Sequence, residues 1–284
     1  MLKLGRSFCA LAAILLLTAC GGHAAETVGN LSSDSYPVSE FNDKGTVIVF
    51  AHQDDDLLWM YPFWGPGTPL IRGAYLSAYP ISPDLQQVVS ALPAAYVAVW
   101  ASLFGATDAE TFHSVYLVPC KREKIVTIDA VKALLRPRLA DPAVTRIVTH
   151  NNWGEYGHAQ HRLVNRAVRE LAVELKKDVW TPAWTADRGT YVDQGTFGGL
   201  PSIFGSFDAP SFKQLRGVYE AHSDCLPNGQ CYRSTWTWST GENDFPQGKQ
   251  RYLKIVDHGK DLTIGNAGIE AVSKRLPVIN ACMR

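Results

Sequence analysis

Neither sign of charge is in excess in this sequence: 27 Lys and Arg stand against 27 Asp and Glu in 284 residues, a formal net charge of +0 at pH 7. Without net basic character nothing neutralises a phosphate backbone, so dedicated nucleic-acid binding has no basis and a polyanionic partner is disfavoured. Cysteine pairs at CxxC spacing are lacking, which removes the usual basis for a Cys-built zinc site. Internal repeats and low-complexity tracts are lacking as well. What is present, 46% hydrophobic and 19% charged residues, describes a globular protein. Aromatics at 11%, with 8 Trp, exceed what a core of this size needs, so some rings are candidates to face a ligand such as a sugar.

At the N-terminus, Lys3 and Arg6 precede an apolar run from Phe8 to Leu17 that is too short to span a bilayer as a stable helix and reads as a signal peptide. It ends Leu17-Thr18-Ala19-Cys20, which resembles the bacterial lipobox, implying lipidation of Cys20 and cleavage before it. An ordinary secretory signal cleaved near Ala24-Ala25 is the alternative. Gly21 after the cysteine resembles an outer-membrane address, and both readings place the protein outside the cytoplasm. The expected organisation is a signal peptide over 1–19, a polar lipid-anchored tether over 20–44 and one domain over 45–284. Export leaves Cys120, Cys225, Cys231 and Cys282 in an oxidising compartment. Cys225 and Cys231 flank a loop with an Asn228-Gly229 turn signal and are expected to pair, leaving Cys120 with Cys282.

Thr46 to Ala51 is a continuous apolar run, and Thr145 to Thr149 is a second; both read as strands buried on two faces of a parallel sheet. Helical stretches are expected over roughly Ser82 to Phe104 and Thr127 to Leu139. The clearest helix follows the second strand, where Val164, Val168, Leu171 and Leu175 recur at helical spacing and Lys176-Lys177 suit its C-terminus. Strand and helix in alternation predict an α/β fold, an open, mostly parallel sheet with helices on both faces and its site at the carboxyl ends of strands. Beyond about Gly195 the chain reads as loops and short strands, with a helix over Ser211 to His222.

The chemistry-bearing residues sit at those two strand ends. After the first comes Ala51-His52-Gln53-Asp54-Asp55-Asp56, one imidazole and three carboxylates whose repulsion a cation would relieve. After the second comes Gly154-Glu155-Tyr156-Gly157-His158-Ala159-Gln160-His161, with two histidines at i and i+3 as the helix begins. Two His and one Asp with an open fourth position is a catalytic zinc arrangement. His150 and Asn151, on the same loop, are open to two readings, pocket lining or loop structure.

These motifs resemble those of the LmbE-like or PIG-L deacetylases, whose first motif reads A-H-P-D-D-E and whose second reads G-E-Y-G-H-P-D-H. The resemblance runs from about Gly45 to Val168 and weakens after Gly195. It implies a Rossmann-like single domain, zinc ligands His52, Asp55 and His161, a general base at Asp54, and His158 assisting the developing oxyanion or the leaving amine. Zinc is the expected metal, with iron(II) or cobalt(II) as possible substitutes. Three positions depart from the pattern: Gln53 replaces Pro, Asp56 replaces Glu, and Gln160 replaces the Asp between the histidines. Asp56 and Gln160 are expected behind the ligands, where Gln160 accepts a hydrogen bond but brings no charge.

Trp153, Tyr156, Tyr232, Trp236 and Trp238 are candidates to stack on a sugar ring, with core packing as the competing reading, and His222 is a candidate to approach the site from the third part of the chain. Where the family often has a substrate-engaging Arg, Ala95 to Trp100 is apolar, which favours a neutral N-acetylated sugar. The expectation is an exported, membrane-anchored zinc N-deacetylase acting on an N-acetylhexosamine (GlcNAc-type) unit of a cell-surface glycan or glycoconjugate. The alternatives are a zinc amidase on another N-acyl small molecule and a non-catalytic glycan-binding lipoprotein.

Overall fold

Successive residues of a strand point to opposite faces, and in β1 (Thr46–Phe50) both faces are apolar. Val47, Val49 and Ala51, just beyond the strand, join one hydrophobic cluster, while Ile48 and Phe50 join another. This computed structural model describes residues 45–51, 55–63, 70–73, 112–115, 127–187, 190–210, 212–213, 216 and 245–278. All of them belong to one compact unit, Ser32–Arg284.

After β1 come α1 (Asp55–Met60), a 3-10 turn (Tyr61–Phe63), β2 (Leu70–Gly73), β3 (Phe112–Val115), α2 (Ile128–Leu139) and β4 (Arg146–Val148). A short helical turn, α3 (Gly154–Gly157), leads into α4 (Ala159–Leu175), β5 (Asp178–Pro182), β6 (Trp184–Asp187) and β7 (Thr190–Asp193). The chain closes with β8 (Ser202–Ser206), β9 (Lys249–Asp257), β10 (Lys260–Asp261) and α5 (Ala267–Arg275). Among the described residues the main sheet runs β10-β9-β5-β4-β1-β2-β3, with β8 also on β9, and β6 pairs β7 in a separate hairpin. The five strands from β5 to β3 are parallel, and β9 adds to β5 antiparallel. This is the expected α/β architecture.

α2 starts where Thr127 caps it, the hydroxyl accepting from the Ala130 N–H at 3.2 Å, and buries Val131, Leu135 and Leu139. α4 buries Leu163, Val164, Ala167, Val168 and Leu171 in the same cluster and stops at Lys176, whose left-handed φ of 56° ends the helix. On the other face, Leu57 and Met60 of α1, Phe63, Trp184, Phe207 and Tyr252 fill the second cluster. The helix expected over Ser82 to Phe104 and most of the one over Ser211 to His222 lie outside the described residues.

The tail of the domain differs from its sequence reading. Past Gly195 the chain supplies a nine-residue strand, β9, and the helix α5. The apolar residues of β9 fall in pairs: Tyr252 and Leu253 enter opposite clusters, while Ile255 and Val256 enter the same one because the register against β5 shifts between Val179 and Trp180. That bulge breaks the alternation by which a strand is read from sequence.

Candidate metal centre

β1 and β4 are neighbours in register, Ile48 opposite Val148, so the segments leaving their carboxyl ends meet. From the first comes Asp55, buried at the start of α1; from the second come His150, Glu155, His158 and His161, all buried. The loop reaches this arrangement through backbone that helical spacing does not describe. Gly154 and Gly157 have φ of 67° and 102°, and Glu155 between them has φ 51°, which turns its carboxylate inward. A Cβ on Gly157 would collide with the main-chain oxygen of Pro277.

Glu155 is the hub. Its Oε2 lies 2.6 Å from Nδ1 of His161 and 3.1 Å from Nδ1 of His150, while Oε1 accepts the Asn151 N–H at 3.0 Å. Burial works against its charge, but the field and hydrogen bonds of His150, then those of His161, outweigh it and hold the carboxyl at about 2. An ionised carboxylate only accepts, so both Nδ1 atoms carry protons.

Both Nε2 atoms face Asp55: His161 Nε2 is 3.3 Å from Oδ1 and His150 Nε2 is 3.2 Å from Oδ2. A ring nitrogen and a carboxylate oxygen at this distance share positive charge, carried by a ring proton or by a metal ion. Two ligand atoms on one tetrahedral zinc, each about 2.0–2.1 Å from it, sit about 3.3–3.4 Å apart, so the His161–Asp55 spacing fits an ion. Asp55, His150 and His161 form a buried group that can hold a metal, their ligand atoms lying within 4.8 Å of one another. Desolvation disfavours a charged His150, and the carboxylates of Glu155 and Asp55 outweigh it, pulling the ring up to about 9. Against that pull, the Ala51 N–H points at His150 Nε2 from 2.9 Å and requires a lone pair there. A cation held by Asp55 would offset the carboxylate field at His150.

The three imidazoles stack, His150 on His161 at 3.9 Å between centroids and His158 on His161 at 4.5 Å. His158 is the N-cap of α4 and not part of it; its Nδ1 accepts the Gln160 N–H at 3.2 Å, which puts its proton on Nε2. Trp59, one turn beyond Asp55, donates Nε1–H to Oδ1 at 2.9 Å. Tyr252 in turn donates its hydroxyl to the Trp59 main-chain oxygen at 2.6 Å. Tyr156, half-buried, has its ring 5.5 Å from that of His161, and Tyr191 of the β6–β7 hairpin is 5.8 Å from Trp59.

Of the residues expected from sequence, Asp55, His158, His161, Gln160 and Tyr156 are thus brought together. Trp153 is a correction: 1% exposed, packed on Phe197 and donating Nε1–H to the Trp184 oxygen at 3.2 Å, it is a core residue with no face to offer a sugar. The carboxylate behind His161 is that of Glu155, while Gln160 donates its main-chain N–H to His158. Glu155 and His150 were in view in the sequence; what was missing was the left-handed turn that aims one at the other. Asp56 lies in α1, but its side chain is outside the described residues. Also outside are His52, Asp54, His222, Tyr232, Trp236, Trp238, Cys20 and the four cysteines expected to pair.

No protein-family model and no curated protein matches the chain. Among solved structures it is similar to a deacetylase of the teicoplanin biosynthesis pathway in a bog complex, at 13% identity and TM-score 0.48 over 74% of this chain and 96% of that one. It is also similar to the A40926 pseudoaglycone deacetylase Dbv21, at 14% identity and TM-score 0.42 over 76% and 99%. A deacetylase–teicoplanin complex matches at 11% identity and TM-score 0.43 over 75% and 99%.

Proposed function

We propose that this chain is a zinc-dependent N-deacetylase, exported and anchored through lipid on Cys20, that hydrolyses the N-acetyl group of an N-acetylhexosamine unit in a cell-surface glycan or glycoconjugate. The observation that carries the reading is the buried group of Asp55, His150 and His161, whose ligand atoms lie within 4.8 Å of one another, with His161 Nε2 3.3 Å from Asp55 Oδ1. His161 and Asp55 would hold the ion together with His52. Bound zinc supplies Lewis acidity and brings the pKa of a bound water toward about 7.

The chain's own groups do the rest. Asp54 accepts the proton of the attacking water and delivers it to the departing amine, so acetate and the free amino sugar are the products. His158, with its proton on Nε2, donates toward the developing oxyanion. Tyr156 beside His161, and Tyr191 beside Trp59, offer aromatic surface for a pyranose ring.

The test is elemental analysis of soluble protein beginning after Cys20, paired with acetate release from N-acetylglucosamine oligomers. The expected result is about one zinc per chain, lost in His161→Ala, and acetate release abolished in Asp54→Asn with metal retained. Absence of divalent metal after reconstitution removes the hydrolase reading. The anchor is tested separately by membrane fractionation of wild type against Cys20→Ala, where equal partitioning counts against it.

A further inference from the structure

His150 has a ring nitrogen within ligand distance of Asp55 and His161, and by proximity alone it is a third ligand. Its hydrogen bonds argue otherwise. A neutral imidazole has one N–H and one in-plane lone pair. The N–H of His150 is directed from Nδ1 to Glu155 at 3.1 Å, and its lone pair at Nε2 receives the Ala51 N–H at 2.9 Å. A metal at Nε2 would have to displace that N–H and leave it buried at the end of β1, where Ala51 is fully buried. His161 likewise has Nδ1 on Glu155, and the Nε2 atoms of both rings face Asp55; the Ala51 N–H on Nε2 is the observation that bears on His150.

We propose, resting on the metal-site reading above, that His150 is a positioning residue and not a ligand. It ties the main chain at Ala51, the residue before His52, to the carboxylate that orients His161. The surroundings suit this role. Asn165 of α4 donates to the His150 main-chain oxygen at 2.6 Å, so the residue is fixed from the helix as well. Asn151 locks the other end, accepting the Glu155 N–H on Oδ1 at 2.8 Å and donating its own N–H to Oε1. β1, the loop after β4 and α4 are thereby joined through one imidazole and one carboxylate.

The experiment loads the full chain with cobalt(II) and records its visible absorption, stoichiometry and affinity for wild type, His150→Gln, His161→Ala and His52→Ala. Gln at 150 keeps an acceptor for the Ala51 N–H and loses the donor to Glu155. The expected result for His150→Gln is one cobalt per chain, an absorption band unmoved in position and intensity, and binding about 10–100-fold weaker, as for the loss of a group behind a ligand. His161→Ala and His52→Ala should each lose tight binding. A His150→Gln spectrum altered as by loss of an imidazole ligand overturns the proposal while leaving the metal site standing. If His150→Gln does not fold, His52→Ala decides, since retention of tight binding there requires His150 as the third ligand. A wild type that takes up no metal overturns the metal-site reading itself, and this proposal with it.

Discussion

Trp59 holds Asp55 by a single hydrogen bond, Nε1–H to Oδ1 at 2.9 Å, across one turn of α1. The bond leaves one oxygen of the carboxylate fixed in direction while both oxygens face imidazole nitrogens. Trp59→Phe keeps an aromatic body in the cluster and removes the donor. The expected outcome is a folded protein with zinc affinity lowered about 10-fold, the lower end of what is lost when a ligand's hydrogen-bonding partner is removed. Competition against a chromophoric chelator measures it; unchanged affinity counts against a positioning role for Trp59.

Gly157 cannot become alanine without moving the chain. Its φ of 102° disfavours any side chain, and the added methyl would strike the Pro277 main-chain oxygen. Gly195, with φ 81° and open space around it, meets the first difficulty without the second. Gly195→Ala should cost about 1 kcal/mol. Gly157→Ala should cost more, about 3 kcal/mol, with a Tm lower by about 6–12 °C. Thermal unfolding of the two variants side by side checks the ordering.

Trp153 separates a core role from a substrate role. In Trp153→Phe the indole donor is lost, but the Trp184 oxygen it served still accepts from Asn151 Nδ2 at 3.1 Å. Stability should fall by about 2 kcal/mol, for the lost hydrogen bond and the smaller ring together. KM for an N-acetylated sugar should not change. A raised KM with unchanged Tm would return Trp153 to the substrate surface.

Metal should stabilise the fold as well as equip it, since Asp55 and His161 face each other inside the protein. Zinc at 100 times its Kd adds about 2.7 kcal/mol by mass action. Chelation should therefore lower Tm by about 5–10 °C and zinc restore it. His161→Ala should be insensitive to both, a comparison readable by differential scanning fluorimetry.

The two strands and the helix that place the centre were legible in the sequence because their residues are buried in simple patterns. β1 is buried on both faces, and α4 repeats its apolar residues at helical spacing. Asp55 and His161 were legible because the motifs stand at strand ends. The pairing of His158 with His161 was foreseen from a spacing of three on a helix, yet His158 has extended backbone at the cap and reaches its neighbour by that route. Glu155 was not legible as the hub, since nothing local in Gly-Glu-Tyr-Gly announces a left-handed φ at the Glu. β9 was hidden for a different reason: a bulge in its pairing with β5 scrambles the alternation.

The hydroxyl of Tyr252 reaches the Trp59 main-chain oxygen across a separation of 193 residues. Asp55, Glu155 and His161 all precede β5, whereas the strand that props Trp59 comes near the end of the chain. A contact of such long range is slow to close, so the carboxylate that Trp59 directs is fully braced only once β9 has joined the sheet.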